Sequence, residues 1–167
     1  MGLKLSTGLR NAMLNASGKS FTDALTQGAS GTAGSGGTCT RINIYSGAEP
    51  ATADAAATGT LLCTITNTTG VSSDYNLAFL TSTVGILAKN TNTWQGTCVA
   101  SGTAGYFRVI RSPTAASIPD TGASSTTEIR LQGDIATSGA VLNLSNPVLV
   151  NAAVQNVDYF SMTLPGA

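Results

Sequence analysis

Eight carboxylates and no histidine set the chemistry open to this 167-residue chain. Without imidazole, the usual general base for a serine or cysteine nucleophile and the commonest transition-metal ligand are both missing. Carboxylates can work as acid and base when two flank one bond, as in glycoside hydrolysis. Here Asp23, Glu49, Asp54, Asp74, Asp120, Glu128, Asp134 and Asp158 stand singly along the chain, and surface or turn roles are expected for them. Cys39, Cys63 and Cys98 lack C-x-x-C spacing and read as reduced small hydrophobes. The run GSGG at 34–37 has no following Lys-Ser/Thr and precedes a strand, which makes it a hinge rather than a phosphate loop. Trp94 and the pair Tyr106, Phe107 are the strongest aromatic anchors, suited first to core or subunit packing. No catalytic set, cofactor site or metal site is expected, and the chain does not read as an enzyme.

Composition points the same way. Charged residues make up 10% of the chain, against roughly 25% in an ordinary soluble protein. Net charge is zero and the pI is about 6.1. The basic residues are dispersed, so the clustered phosphate neutralisation that nucleic acid demands is not expected. Arg108 and Arg111 read as a solvated strand edge. No stretch reaches the roughly 18 apolar residues of a membrane helix, so no membrane partner is expected either. The opening MGLKLSTGLRNAMLNAS breaks its apolar run at Ser6, Thr7 and Gly8, unlike a secretory signal, and the chain is expected to be made and folded in a cytoplasm.

The elements that must position these residues are mostly strands. In RINIYSGAEPATADAAATGTLLCTITN, residues 41–67, Ile42 and Ile44 alternate with Arg41, Asn43 and Tyr45, and Leu61, Cys63 and Ile65 alternate with Leu62, Thr64 and Thr66. The alanine-rich connection between them, 46–60, is too small-sided and too weakly charged for a free tail and must lie against something. Further strands are expected near 84–89, 96–101, 104–111, 127–136, 140–150 and 155–164, each with one buried face, and Pro147 marks an edge or bulge. Ahead of them, Ser6 or Thr7 caps a short helix through Asn15, too short to stand alone in water. The reading is therefore an all-β, antiparallel, jelly-roll-like β-sandwich over 39–167, a Gly/Ser-rich hinge over 28–38 and an N-terminal helical arm over 1–27.

Four segments carry a resemblance that covers most of the chain: KLSTGLRNAML, INIYSGAEPATADAAATGTLLCTI, TWQGTCVASGTAGYFRV and IRLQGDIATSGAVLNLSNPVLVNAAVQNVDYFSMTLP. Together, in that order, they resemble a group of small proteins encoded by tailed bacteriophages. The resemblance implies a virion structural protein, with no catalytic residues to transfer. The chain departs from the group in its linker, GASGTAGSGGTCT, which is longer than the usual join. With the low charge and the tethered arm, this leads to a capsid decoration or cement protein that binds the major capsid protein and forms a dimer or trimer. Leu3, Leu5, Leu9, Met13 and Phe21 of the arm, and Ala51, Ala53 and Ala56 of the small-residue connection, are the expected partner contacts. A tail or neck module is the alternative within the virion. A virion-displayed carbohydrate-binding module, with Trp94, Tyr75 or Tyr106 stacking on a sugar, is the alternative from another functional class.

Overall fold

The computed structural model describes residues 2–15, 39–67, 77, 79, 80, 86–112 and 122–163. The hinge expected at 28–38, and with it Phe21, Asp23, Asp74, Tyr75 and Asp120, lies outside the described residues. Within them the chain is all-β with antiparallel sheets and one short helix. The strands are β1 (Lys4–Leu5), β2 (Cys39–Ser46), β3 (Leu61–Asn67), β4 (Ile86–Ala88), β5 (Trp94–Thr97), β6 (Gly102–Ser112), β7 (Arg130–Ala136), β8 (Leu142–Asn143), β9 (Val148–Leu149), β10 (Val154–Val157) and β11 (Ser161–Thr163); helix α1 (Thr7–Asn15) follows β1. The main sheet runs β1-β7-β6-β2-β3-β5-β10, with β8 added to β7 and β9 to β6, while β11 and β4 form a separate pair. The pairing of β7 with β8 is parallel; the other ladders are antiparallel.

Register turns the sequence alternation into two sharply different sheet faces. Ile65, Ile42, Val109, Leu131 and Leu5 are successive cross-strand partners over β3, β2, β6, β7 and β1. This row belongs to the apolar core, which also takes in Ile44, Phe107, Leu62, Trp94, Phe160 and Met162. Four aromatic rings lock it: Phe79 meets Trp94 edge-on with centroids 5.1 Å apart, and Phe160 sits 5.8 Å from Trp94 and 5.9 Å from Phe107. One residue along the same strands, Thr64, Asn43, Arg108, Gln132 and Lys4 form the matching row of the opposite face. Asn43, Arg108, Arg130 and Gln132 are nonetheless fully buried. The expectation of one buried face per strand is thus corrected for the central strands, which are buried on both. Arg108 is correspondingly in the middle of the sheet and not on a solvated edge.

The N-terminal segment belongs to this sheet. Ser6 caps α1 as expected, its Oγ accepting the Leu9 amide at 3.1 Å. The same hydroxyl donates to the Glu128 carbonyl and accepts the Arg130 amide. Leu9 is wholly buried in the core, and α1 lies so close to the 127–128 backbone that a Cβ on Gly8 would meet two carbonyl oxygens at 2.4 Å. Residues 2–15 are therefore not an arm held away from the β-domain. A short amphipathic helix finds its stability by burying its apolar face, and here the chain's own sheet supplies the surface.

Strand breaks differ from expectation in two places. The stretch 140–150 is divided into β8 and β9, because Pro147 has no amide to give a ladder and its carbonyl instead accepts from Ala104. The stretch 155–164 is likewise divided into β10 and β11, with Phe160 turned into the aromatic cluster between them.

Candidate functional site

The connection 46–60 lies across the polar face and supplies carbonyl acceptors to it. Arg108 Nε donates to Gln132 Oε1 at 2.7 Å and its Nη2 to the Ala55 carbonyl at 2.8 Å. Gln132 Nε2 and Lys4 Nζ both donate to the Pro50 carbonyl, at 2.9 and 2.8 Å. The Tyr106 hydroxyl donates to the Thr58 carbonyl at 2.7 Å and accepts the Thr58 amide at 2.9 Å. Tyr45 stacks on Tyr106 at 5.1 Å, and the Arg108 guanidinium lies 6.0 Å from the Tyr106 ring. Burying a guanidinium is tolerable only when such acceptors replace water. Small side chains let the loop backbone come close enough to provide them. What the loop lies against is its own sheet.

Four of the carboxylates that sequence left open have partners within the chain. Both oxygens of Asp54 are taken by Thr7, from its amide at 2.8 Å and its hydroxyl at 2.7 Å. Glu49, its side chain buried, faces Lys4 Nζ at 2.9 Å; Glu128 pairs with Arg130; Asp134 accepts the Val141 amide. Among the described residues no three of Cys, Asp and Glu gather in one place. An open hollow of about 560 Å³ beside Asp54 is lined otherwise by Thr52, Ala55 and residues 124–127, which offer hydroxyls and no second carboxylate.

The expected contact residues divide. Leu9 and Ala53 are buried inside the chain, so neither is available to a partner, which corrects both. Leu3, Leu5 and Met13 are half-buried and pack against the core. Ala51 and Ala56 are exposed. Trp94 and Tyr106 are buried at 1% and 0% exposure, so neither has a ring face open for a sugar.

A surface that the sequence reading passed over lies at the far end of the sheet. Residues 97–103 and 148–154 run side by side: Val148 pairs with Thr103 and Val154 with Thr97, Asn151 donates its amide to Ser101 Oγ, and Cys98 exchanges backbone hydrogen bonds with Ala152 and Ala153. Four valines of these two segments stand in solvent: Val99 at 62%, Val148 at 53%, Val150 at 58% and Val154 at 60% exposure. Ala152, in the turn before β10, has φ 65°, a conformation that alanine adopts only when its surroundings enforce it. Beyond it β10 ends the sheet path, and among the described residues its outer edge pairs with no strand. Its sequence, VQNV, has neither the charge nor the proline that usually protects an open edge. The signal available in sequence is that residues 90–107 and 135–157 contain no charged side chain at all. No family model, curated protein or solved structure matches the chain.

Proposed function

We propose that this protein is a structural subunit of a bacteriophage virion, a capsid decoration or cement protein that binds the major capsid protein and stabilises the head, and that its copies join one another through the valine face at the β10 edge. The carrying observation is that face: four exposed valines on an uncharged, unprotected sheet end. Contiguous exposed apolar surface marks an interaction site. A second copy of the chain fits it because uncharged surface meets its own likeness without repulsion, and an open antiparallel edge can pair with itself about a twofold axis. Four carboxylates also favour a structural role, since Glu49, Asp54, Glu128 and Asp134 are tied up in holding the fold together. The resemblance to small phage proteins supplies the setting. Ala51 and Ala56, exposed on the 46–60 loop, stay as proposed contacts to the capsid.

Quantitative mass spectrometry of purified particles tests the reading. A decoration protein is expected in copies that scale with those of the major capsid protein. Copies limited to a single ring would move the protein to the neck or tail, and absence from washed, intact particles would overturn the virion assignment.

A further inference from the structure

Cys63 on β3 and Cys98 just after β5 face each other across the seam that joins the β5–β10 ladder to the main sheet. The hydrogen bonds around them identify the kind of pair. Val99 donates its amide to Leu62, outside the two cysteines, while the backbone of Cys98 bonds to Ala152 and Ala153 on its other side. Cys63 and Cys98 are therefore a non-hydrogen-bonded antiparallel pair, in which Cα atoms lie about 4.5 Å apart and side chains approach most closely. A disulfide spans Cα separations of roughly 4.4–6.8 Å. Both sulfurs are free, and both residues are buried, Cys63 completely and Cys98 to 3% exposure. Gly96 leaves room at the seam, for a Cβ there would lie 3.3 Å from Cys63 Sγ.

We infer that Cys63 and Cys98 are a peroxide-closed clasp: a cross-strand disulfide that fastens β5, and with it the valine face, to β3. Hydrogen peroxide is the oxidant of suitable size for so enclosed a pair. Cys98, the less buried, gives up its proton and its sulfur attacks the peroxide; the O–O bond breaks, leaving a sulfenic acid on Cys98 and one water. Cys63 then loses its proton and attacks the Cys98 sulfur, the S–O bond breaks, and a second water leaves. Two thiols are oxidised and one peroxide is reduced to two waters. Burial and the adjacent Cys98 thiol push the Cys63 thiol far above the ordinary thiol range, so Cys63 is the resolving partner and closure is slow.

The test uses the full chain carrying Cys39→Ser, which removes the third thiol from the readout. The folded protein is treated with hydrogen peroxide, quenched with catalase, unfolded and alkylated. Expected is a species lighter by two hydrogens that resists alkylation, maps without reductant to a linked Cys63 and Cys98 peptide, melts roughly 5–10 °C higher, and returns to the starting Tm with dithiothreitol. Cys63→Ala in the same background is expected to gain oxygen on Cys98 and show no rise in Tm. Full alkylation of both cysteines after exhaustive peroxide, stable oxygen adducts without a link, or an unchanged rise in the Cys63→Ala protein would each overturn the inference.

Discussion

Leu9→Ala is expected to lower unfolding free energy by about 2–5 kcal/mol, the usual cost of emptying a large buried aliphatic site, and removal of residues 2–15 is expected to prevent cooperative folding altogether. The expectation follows from where α1 rests. Leu9 is wholly buried among core residues, β1 forms an edge ladder on β7, and the Ser6 hydroxyl ties the helix start to the Glu128 carbonyl and the Arg130 amide. Truncation would also expose Gln132 and Leu131, the β7 partners of Lys4 and Leu5, and release Asp54 from Thr7. A domain with a typical margin of roughly 5–15 kcal/mol cannot absorb those losses together. Urea denaturation followed by fluorescence of the single tryptophan, Trp94, provides the measurement. A Leu9→Ala protein within about 0.5 kcal/mol of the parent, or a truncated chain with an unaltered transition, would show that the segment is only an appendage.

Gly96→Val is the second large effect expected. Any Cβ at this position would lie 1.9 Å from the Thr64 carbonyl oxygen, and both atoms belong to backbones held in one ladder by the Thr66–Gln95 and Asn67–Trp94 pairs. No rotamer change relieves such a clash. The strands must separate, which also lifts Trp94 from its aromatic neighbours. The cost is expected to reach roughly 3 kcal/mol or more, a fall in Tm of roughly 6–12 °C for a chain of this size. Gly2→Ala is the internal comparison, because a Cβ there meets nothing within 4 Å, and it should melt with the parent. Equal melting of the Gly96→Val and parent proteins would mean that the β3–β5 seam is looser than the hydrogen bonds make it.

Much of the strand framework is legible in the chain, because β2, β3, β6 and β7 carry a period-two alternation that places Ile42, Ile44, Ile65, Val109 and Leu131 on one side. The cap at Ser6 and the end of α1 near Asn15 are legible for a similar reason: a hydroxyl ahead of a short apolar-periodic run has a local job to do. Burial of the second face is not legible. Arg108, Arg130 and Gln132 look like solvent-facing residues, and only the tertiary placement of 46–60 and 122–128 turns carbonyls such as those of Ala55, Pro50 and Ala123 toward them. The small-residue loop advertises that it must pack, yet composition does not say on what. The same limit hides the valine face, since Val99, Val148, Val150 and Val154 resemble core residues until the fold leaves them outside.

Sedimentation analysis of the parent protein and a Val150→Asp/Val154→Asp variant tests most directly whether the valine face is where copies join. Both residues are exposed, so the fold should survive the change, and a circular dichroism melt run alongside verifies that it does. The account predicts a concentration-dependent oligomer for the parent and a monomer for the variant, as two carboxylates are brought against their own copies. A parent protein that stays monomeric at every concentration, or a folded variant that associates as the parent does, would contradict it.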